Sequence, residues 1–402
     1  MLSHSLRTRL SLVGVVLTLA SVTACSGQQG EDPGSDSKTS ESQADERSEA
    51  KIVSSIRPDA EGVDLERRLK LRVASGTFET VQVTGPKDLI VKGQFSADKT
   101  RWVSSSQLQA ASSYRVTSTA VDANGLKNSS ESVFATRALT LDEQTYPSFV
   151  PVDGQTIGVG MPVIIRFDVP VTDQASIERH LKVVSQPAQA GSFHWISSQE
   201  VHWRPQNYWR PGTDVKVNAD IGGVSAGNGV FGQKDRAMTF HVGDAMVSKV
   251  NMDTDQMRVF RNGKLVRTIP ITTGEQPKYT TRSGTKVIVE KFRHKRMNSE
   301  TIGIDPNSAD GYDLDDVEYA MRVTYSGEFI HAAPWSIAQQ GNSNVSHGCT
   351  GMSPANAEWL YANTNVGDVV EYVGTDKPMT LTNGFGDWNA SYDDYRAGSA
   401  LS

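Results

Sequence analysis

Residues 331–349, HAAPWSIAQQGNSNVSHGC, hold His331, His347 and Cys349 in one run otherwise rich in small and polar residues. A thiol is a useful nucleophile only as thiolate, and a nearby imidazole is the usual means of generating one near neutral pH. In an extended segment residues two apart face the same way, so His347 and Cys349 are expected to look into one cleft while His331 enters from a neighbouring strand. Gly348 lets the backbone approach a substrate, and the consecutive amides around Cys349 suit a developing oxyanion. Two other readings use the same side chains. One is a zinc site with an open fourth position, for which no further ligand cluster stands nearby; the other is a pair of packing histidines beside an inert thiol.

The rest of the chain bears on that choice. Its 402 residues suffice for roughly two to four domains. Composition is that of an ordinary soluble protein, 37% hydrophobic and 21% charged, with no excess of Lys and Arg that would suggest a nucleic-acid surface. Much of the net charge of −6 is local, in Glu31, Asp32, Asp36, Glu41, Asp45, Glu46 and Glu49.

Residues 1–25 read as a signal peptide: Arg7 and Arg9 precede an apolar run from Leu10 to Ala20, too short for a membrane span. Val22-Thr23-Ala24-Cys25 resembles a bacterial lipobox, which implies lipidation of Cys25 and attachment to the outer face of the cytoplasmic membrane. A plain signal peptide cut near Ala24 is the alternative. Cys25 and Cys349 are the only cysteines. If Cys25 carries lipid, Cys349 is a lone thiol in an oxidising compartment, a liability unless it reacts usefully. Residues 26–50 have no aromatic and no branched apolar residue and read as a disordered acidic linker, spanning about 25–30 Å as a flexible coil.

From 51 to 140, alternating Leu69, Leu71 and Val73, then Val81 and Val83, then Tyr114 and Val116, with turns at Gly85-Pro86 and Asn124-Gly125, predict a first β-sandwich. From 141 to 245 the pattern repeats in Val163, Ile165 and Phe167, a short helix over 174–181, Val201 and Trp203, and Val215 and Val217. This predicts a second sandwich. Its cluster of Trp195, Trp203, Tyr208 and Trp209 reads as core and interface packing ahead of a glycan platform. Residues 246–373 predict a β-rich domain. A hairpin turns at Asn262-Gly263, strands run over 285–290, 320–325 and 329–331, a helix starts at Ser353-Pro354, and a last strand covers 369–373. Residues 374–402, with Trp388, Tyr392 and Tyr395, are expected to pack back on that domain as a docked tail.

His331, fourteen intervening residues, then Ser346-His347-Gly348-Cys349 resembles the active-site motif of the L,D-transpeptidases, the YkuD-type catalytic domain. HAAPWS at 331–336, GDWN at 386–389, the tandem sandwiches and the lipobox resemble the large membrane-anchored members from mycolate-type actinobacteria. The resemblance implies a mainly β chain: two Ig-like domains followed by a catalytic domain with one or two helices. It implies Cys349 as nucleophile and His331 as base, with the other ring nitrogen of His331 held by the carbonyl of Ala332. Ser346 and His347 shape the loop, and the amides of His347, Gly348 and Cys349 form the oxyanion hole. Met297 and Tyr312 are lid residues and Trp335 lines the cleft. The implied substrates are peptidoglycan stem peptides, a donor tetrapeptide and an acceptor amine, joined by a 3→3 cross-link. Carbapenem β-lactams are implied covalent inhibitors, and no metal or organic cofactor is implied. Thr350-Gly351 departs from the commoner apolar residue and Asn, so another group must steady the loop. Hydrolysis at the same site, or a non-catalytic wall-binding lipoprotein, are the alternative functions.

Overall fold

The computed structural model describes residues 47–402. The signal segment, Cys25 and most of the acidic linker lie outside the described residues. The expectation that the linker runs to residue 50 needs correction: Ala50 is buried in the first core, and Glu49 N–H donates to Asp122 Oδ2 at 2.9 Å.

The chain is mainly β. In the first sandwich, strands Lys51–Ser54, Lys70–Ala74, Arg101–Ser104 and Gly93–Phe95 form one sheet, and Ala60–Val63, Lys127–Thr136, Ser113–Val121 and Thr77–Thr84 the other. Leu69, Leu71, Trp102, Tyr114 and Phe134 fill the space between them. The turn at Asn124-Gly125 is closed by Asp122, whose Oδ1 accepts the amides of Asn124 and Leu126.

The second sandwich repeats this arrangement, with Val163–Phe167 and Glu200–Pro205 central in one sheet and Asp214–Ala219 and Arg236–Val242 in the other. The expected helix over 174–181 is only Gln174–Glu178, capped by Asp173. Leu181 already begins a strand, because pairing with Asp214–Ala219 outweighs local helix preference. The aromatic cluster packs: Trp209 and Trp203 are buried at 5.3 Å between ring centroids, Trp195 Nε1 donates to Glu178, and Tyr208 reaches Glu371 in the next domain.

The third domain stacks two sheets. The larger runs Lys264–Pro270, Gln256–Arg261, Met246–Asn251, Val369–Val373 and Gly284–Val287; the smaller runs Glu290–Asn298, Asp313–Arg322, Phe329–Ala332 and Thr350–Met352. Asn262 and Gly263 both take positive φ, as a tight hairpin turn requires. Helix Pro354–Asn363, capped by Ser353, lies against the smaller sheet, with Ala357 and Leu360 buried.

Two expected strands differ. The run 285–290 divides, because the chain crosses from the larger to the smaller sheet at Ile288-Val289. The run 320–325 is only the end of Asp313–Arg322, one arm of a long hairpin with Glu290–Asn298. Arg293–Glu318, His294–Asp316 and Arg296–Asp313 pair between its arms at exposed positions, so charge rather than apolar alternation marks it.

The tail also needs correction, since it packs on the second sandwich as well as on the third domain. Asn389 exchanges hydrogen bonds with Thr285. Trp388 Nε1 donates to Gly160 O, Gly398 O accepts the Trp195 amide, and Asp387 bonds both His202 and Tyr395. With Gly158 and Gly160 donating to Val366 and Gly367, and with Val287, Val369 and Phe385 sharing the second core, the two domains form one packed unit.

Candidate active site

The strand Phe329–Ala332 is buried along its length and lies between Asp313–Arg322 and Thr350–Met352. Its pairing with Thr350–Met352 is parallel, with Ile330 opposite Thr350 and His331 opposite Gly351. A parallel partner has to be reached by a crossover, and residues 333–349 supply it as a polar loop. Cys349 thereby comes beside the strand that carries His331, although the two are eighteen positions apart in sequence.

His331 Nδ1 lies 2.7 Å from the Ala332 carbonyl oxygen. A carbonyl only accepts, so Nδ1 carries the hydrogen and Nε2 keeps its lone pair. Burial lowers the His331 pKa, with the Ala332 bond opposing in part. Burial also pushes the Cys349 thiol up to about 11, partly offset by the Phe329 main-chain amide. At neutral pH both groups are therefore uncharged, and the thiol hydrogen points to Gly327 O at 3.7 Å.

Both residues line a cleft of about 330 Å³. Met297, Tyr312 and Leu314, from the long hairpin and its connection, line it together with Trp335, Ser346 and His347. Trp335 is exposed and its ring stands 5.8 Å from that of His331. The cleft thus joins Cys349, His331, Ser346, His347, Met297, Tyr312 and Trp335, while Ala332 contributes its carbonyl from below. His347 lies 5.1 Å from Tyr312 and 4.4 Å from Tyr279, a neighbour that the spacing did not indicate. Among the described residues no cluster of three His, Cys, Asp or Glu side chains is arranged to hold a metal.

Of the three amides expected to form an oxyanion hole, that of Gly348 is already engaged within the loop. Gly348 N–H is spent on Ser346 Oγ at 3.1 Å, and that hydroxyl donates to Cys349 O at 2.6 Å. The amides of His347 and Cys349 have no such side-chain acceptor. Gly348 sits at φ 122°, which side chains disfavour, so the turn requires glycine.

The group that steadies the loop is Asn344. Its Oδ1 accepts from Thr273 N and Thr273 Oγ1, both at 2.6 Å, and its Nδ2 donates to Met252 O at 2.9 Å. Thr272 Oγ1 bonds Ser343 O and Val345 N, and Thr281 Oγ1 donates to Gly348 O. Asn344 lay in plain view inside the 331–349 run; the threonines carry no local signal because their partners are some 70 positions away. At Gly351 there is no room for a larger residue, since an added Cβ would lie 2.9 Å from Ala333 Cβ.

Residues 60–225 match the family described as bacterial Ig domain, one match spanning both sandwiches, and residues 246–371 match the L,D-transpeptidase catalytic domain. The chain is 35% identical over 356 residues to L,D-transpeptidase 2 of Mycobacterium tuberculosis, covering 87% of this chain and 85% of that protein. It is 32% identical to L,D-transpeptidase 5 of the same species, over 83% and 73% of the two chains. Among solved structures, that of LD transpeptidase LdtMt1 in complex with imipenem is similar with 39% identity and a TM-score of 0.50, over 56% of this chain and 97% of that one.

Proposed function

The chain belongs to the L,D-transpeptidase family, and on that premise we propose that it transfers acyl groups between peptidoglycan stems through a thioester on Cys349. The observation that carries this reading is His331, fixed through Nδ1 with Nε2 free, in the same cleft as Cys349. Because thiol and imidazole are both neutral at rest, the proton leaves sulfur for His331 Nε2 as the S–C bond forms at the carbonyl of the donor's third residue. The oxyanion is received by the amides of His347 and Cys349. Collapse breaks the C–N bond, and the imidazolium returns its proton to the departing D-alanine. The side-chain amine of a second stem then attacks the thioester, passing a proton to His331 and regenerating the thiol, with a 3→3 cross-link as product. General base catalysis contributes about 10²–10⁴-fold and an oxyanion donor about 2.7–4 kcal/mol.

A relative solved with imipenem supports a second proposal, that carbapenems acylate Cys349. We also propose lipidation at Cys25 and display outside the cytoplasmic membrane, the sandwiches acting as a spacer. The packing of the second sandwich on the catalytic domain supports a stiff spacer.

Mass spectrometry of products from a defined disaccharide-tetrapeptide, wild type beside Cys349→Ala, tests the reading. Cross-linked dimer from wild type alone is expected. Trimmed monomer without dimer would make the protein a hydrolase, and no product from either would end the catalytic reading.

A further inference from the structure

Behind the thiol, on the side away from the cleft, lies a buried ionic group for which the proposed chemistry has no direct use. Lys286, fully buried in the strand Gly284–Val287, places Nζ 2.5 Å from Glu328 Oε2. The other carboxylate oxygen accepts from Arg282 N at 3.2 Å and from Arg282 Nη1 at 3.1 Å. Lys286 Nζ also stands 3.6 Å from the centroid of the Tyr372 ring, whose hydroxyl is 2.8 Å from Thr350 Oγ1. Lys286 and Tyr372 belong to the larger sheet; Glu328 and Thr350 border or belong to the smaller one. Two polar links therefore cross the core between the sheets, and their ends in the smaller sheet are the residue before the His331 strand and the residue after Cys349.

A buried ion pair is weak evidence for stability, because desolvating two charges cancels much of their attraction and apolar residues of similar size often serve as well. This pair lies where position matters most. A Cβ on Gly348 would be 3.8 Å from Glu328 Cγ, so the side chain underlies the turn before Cys349. Gly327 O, which accepts the thiol hydrogen, and the Phe329 amide, which faces the sulfur, are the immediate neighbours of Glu328 in the chain.

We propose that Lys286 and Glu328, closed by Arg282, are positioning residues for acyl transfer: their cross-sheet ion pair fixes the turn carrying Cys349 and sets the charge that the sulfur meets from behind. This rests on the acyl-transfer reading given above. The pair acts through placement and field, since neither side chain lines the cleft. The charged and titratable groups facing the sulfur are Lys286 and Glu328 from behind and Tyr312, Tyr372, His331 and His347 from the surrounding elements. Burial already holds Lys286 down at about 8 beside Glu328, so removing the Glu328 charge also removes what keeps Lys286 protonated; because the carboxylate raises the thiol more than the ammonium lowers it, losing both still favours thiolate.

The test compares wild type, Lys286→Met/Glu328→Leu and Glu328→Gln in the full chain. Three quantities are read: thermal unfolding, the rate of imipenem acylation, and the pH profile of Cys349 alkylation by iodoacetamide. The double variant is expected to unfold near the wild-type temperature yet acylate at least tenfold more slowly, since a misplacement of about 1 Å costs roughly 10²-fold. Glu328→Gln is expected to move the alkylation profile to lower pH, which a purely structural role would not do. A folded double variant that acylates as fast as wild type overturns the proposal, as does an unmoved profile in Glu328→Gln. A double variant that fails to fold overturns it too, because the pair is then structural. A wild type that forms no adduct removes the acyl-transfer reading itself, whereas an adduct that forms equally fast in wild type and double variant removes only this inference.

Discussion

His331 Nδ1 stands 2.7 Å from the carbonyl oxygen of Ala332, the next residue in the chain. The strand thus supplies its own tautomer control, with no carboxylate behind the imidazole. His331→Ala should lower acylation by imipenem by about 10²–10⁴-fold, the usual scale of general base catalysis. Stopped-flow loss of β-lactam absorbance measures it, and an unchanged rate would exclude His331 as the base.

The pH dependence follows from the direction of the shifts. Burial lowers His331 below 6.5, so its neutral, proton-accepting form persists to below pH 6.5. Acylation should be level from about pH 8 down to that region and fall only at more acidic pH. Burial raises Cys349, so free thiolate is scarce across this range. A rate climbing steadily with pH above 7 would instead track thiolate formation and contradict proton transfer to a neutral His331.

Gly348→Ala separates backbone strain from crowding. An added Cβ would meet nothing closer than 3.8 Å, but φ is 122°. The cost is therefore conformational, about 1–3 kcal/mol, and relaxation of the turn moves the sulfur. The expected result is a folded protein with acylation reduced at least about tenfold; full activity would show that the turn tolerates another conformation.

Gly351→Asn restores the residue commoner in the motif and should harm this protein. The new side chain would begin 2.9 Å from Ala333 Cβ and 3.1 Å from Thr272 Cγ2. Overpacking of this kind costs about 1–3 kcal/mol. Denaturant unfolding should show the loss; equal or greater stability would mean that the cleft wall yields easily.

The joint between tail and second sandwich carries its own pH signature. Burial alone would lower His202, but Asp387 and Glu200 at 2.8 Å from its two ring nitrogens outweigh it and hold it at about 9. A raised histidine contributes stability in full below its unfolded value of 6.5 and loses it as pH rises through about 9. Thermal stability should decline over that window. Asp387→Asn should abolish most of that slope and destabilise by about 3–5 kcal/mol, the usual cost of breaking a buried pair. A slope that survives the substitution would assign it elsewhere.

Legibility followed the range of the interaction. Asn262-Gly263, Ser353-Pro354 and the alternation around Leu69–Val73 fix local conformation, so they could be read along the chain. The long hairpin that carries Met297 was hidden because its arms pair by charge at exposed positions. Lys286 and Glu328 left a faint signal, each a lone charge beside an apolar run, but nothing in either segment names the other as partner.

The sequence by itself determined the chemistry on offer: one histidine and one thiol at a characteristic spacing, in a mainly β chain of family-specific design. Residue type and short spacing carry that information, because nucleophilicity and turn geometry are local properties. Only the tertiary structure decided that Ser346 takes the Gly348 amide, that Asn344 steadies the loop, that the tail clasps two domains, and that Lys286 and Glu328 meet behind Cys349. The last three depend on which strands become neighbours, and parallel pairing of Phe329–Ala332 with Thr350–Met352 is fixed by burial of both faces rather than by any local preference.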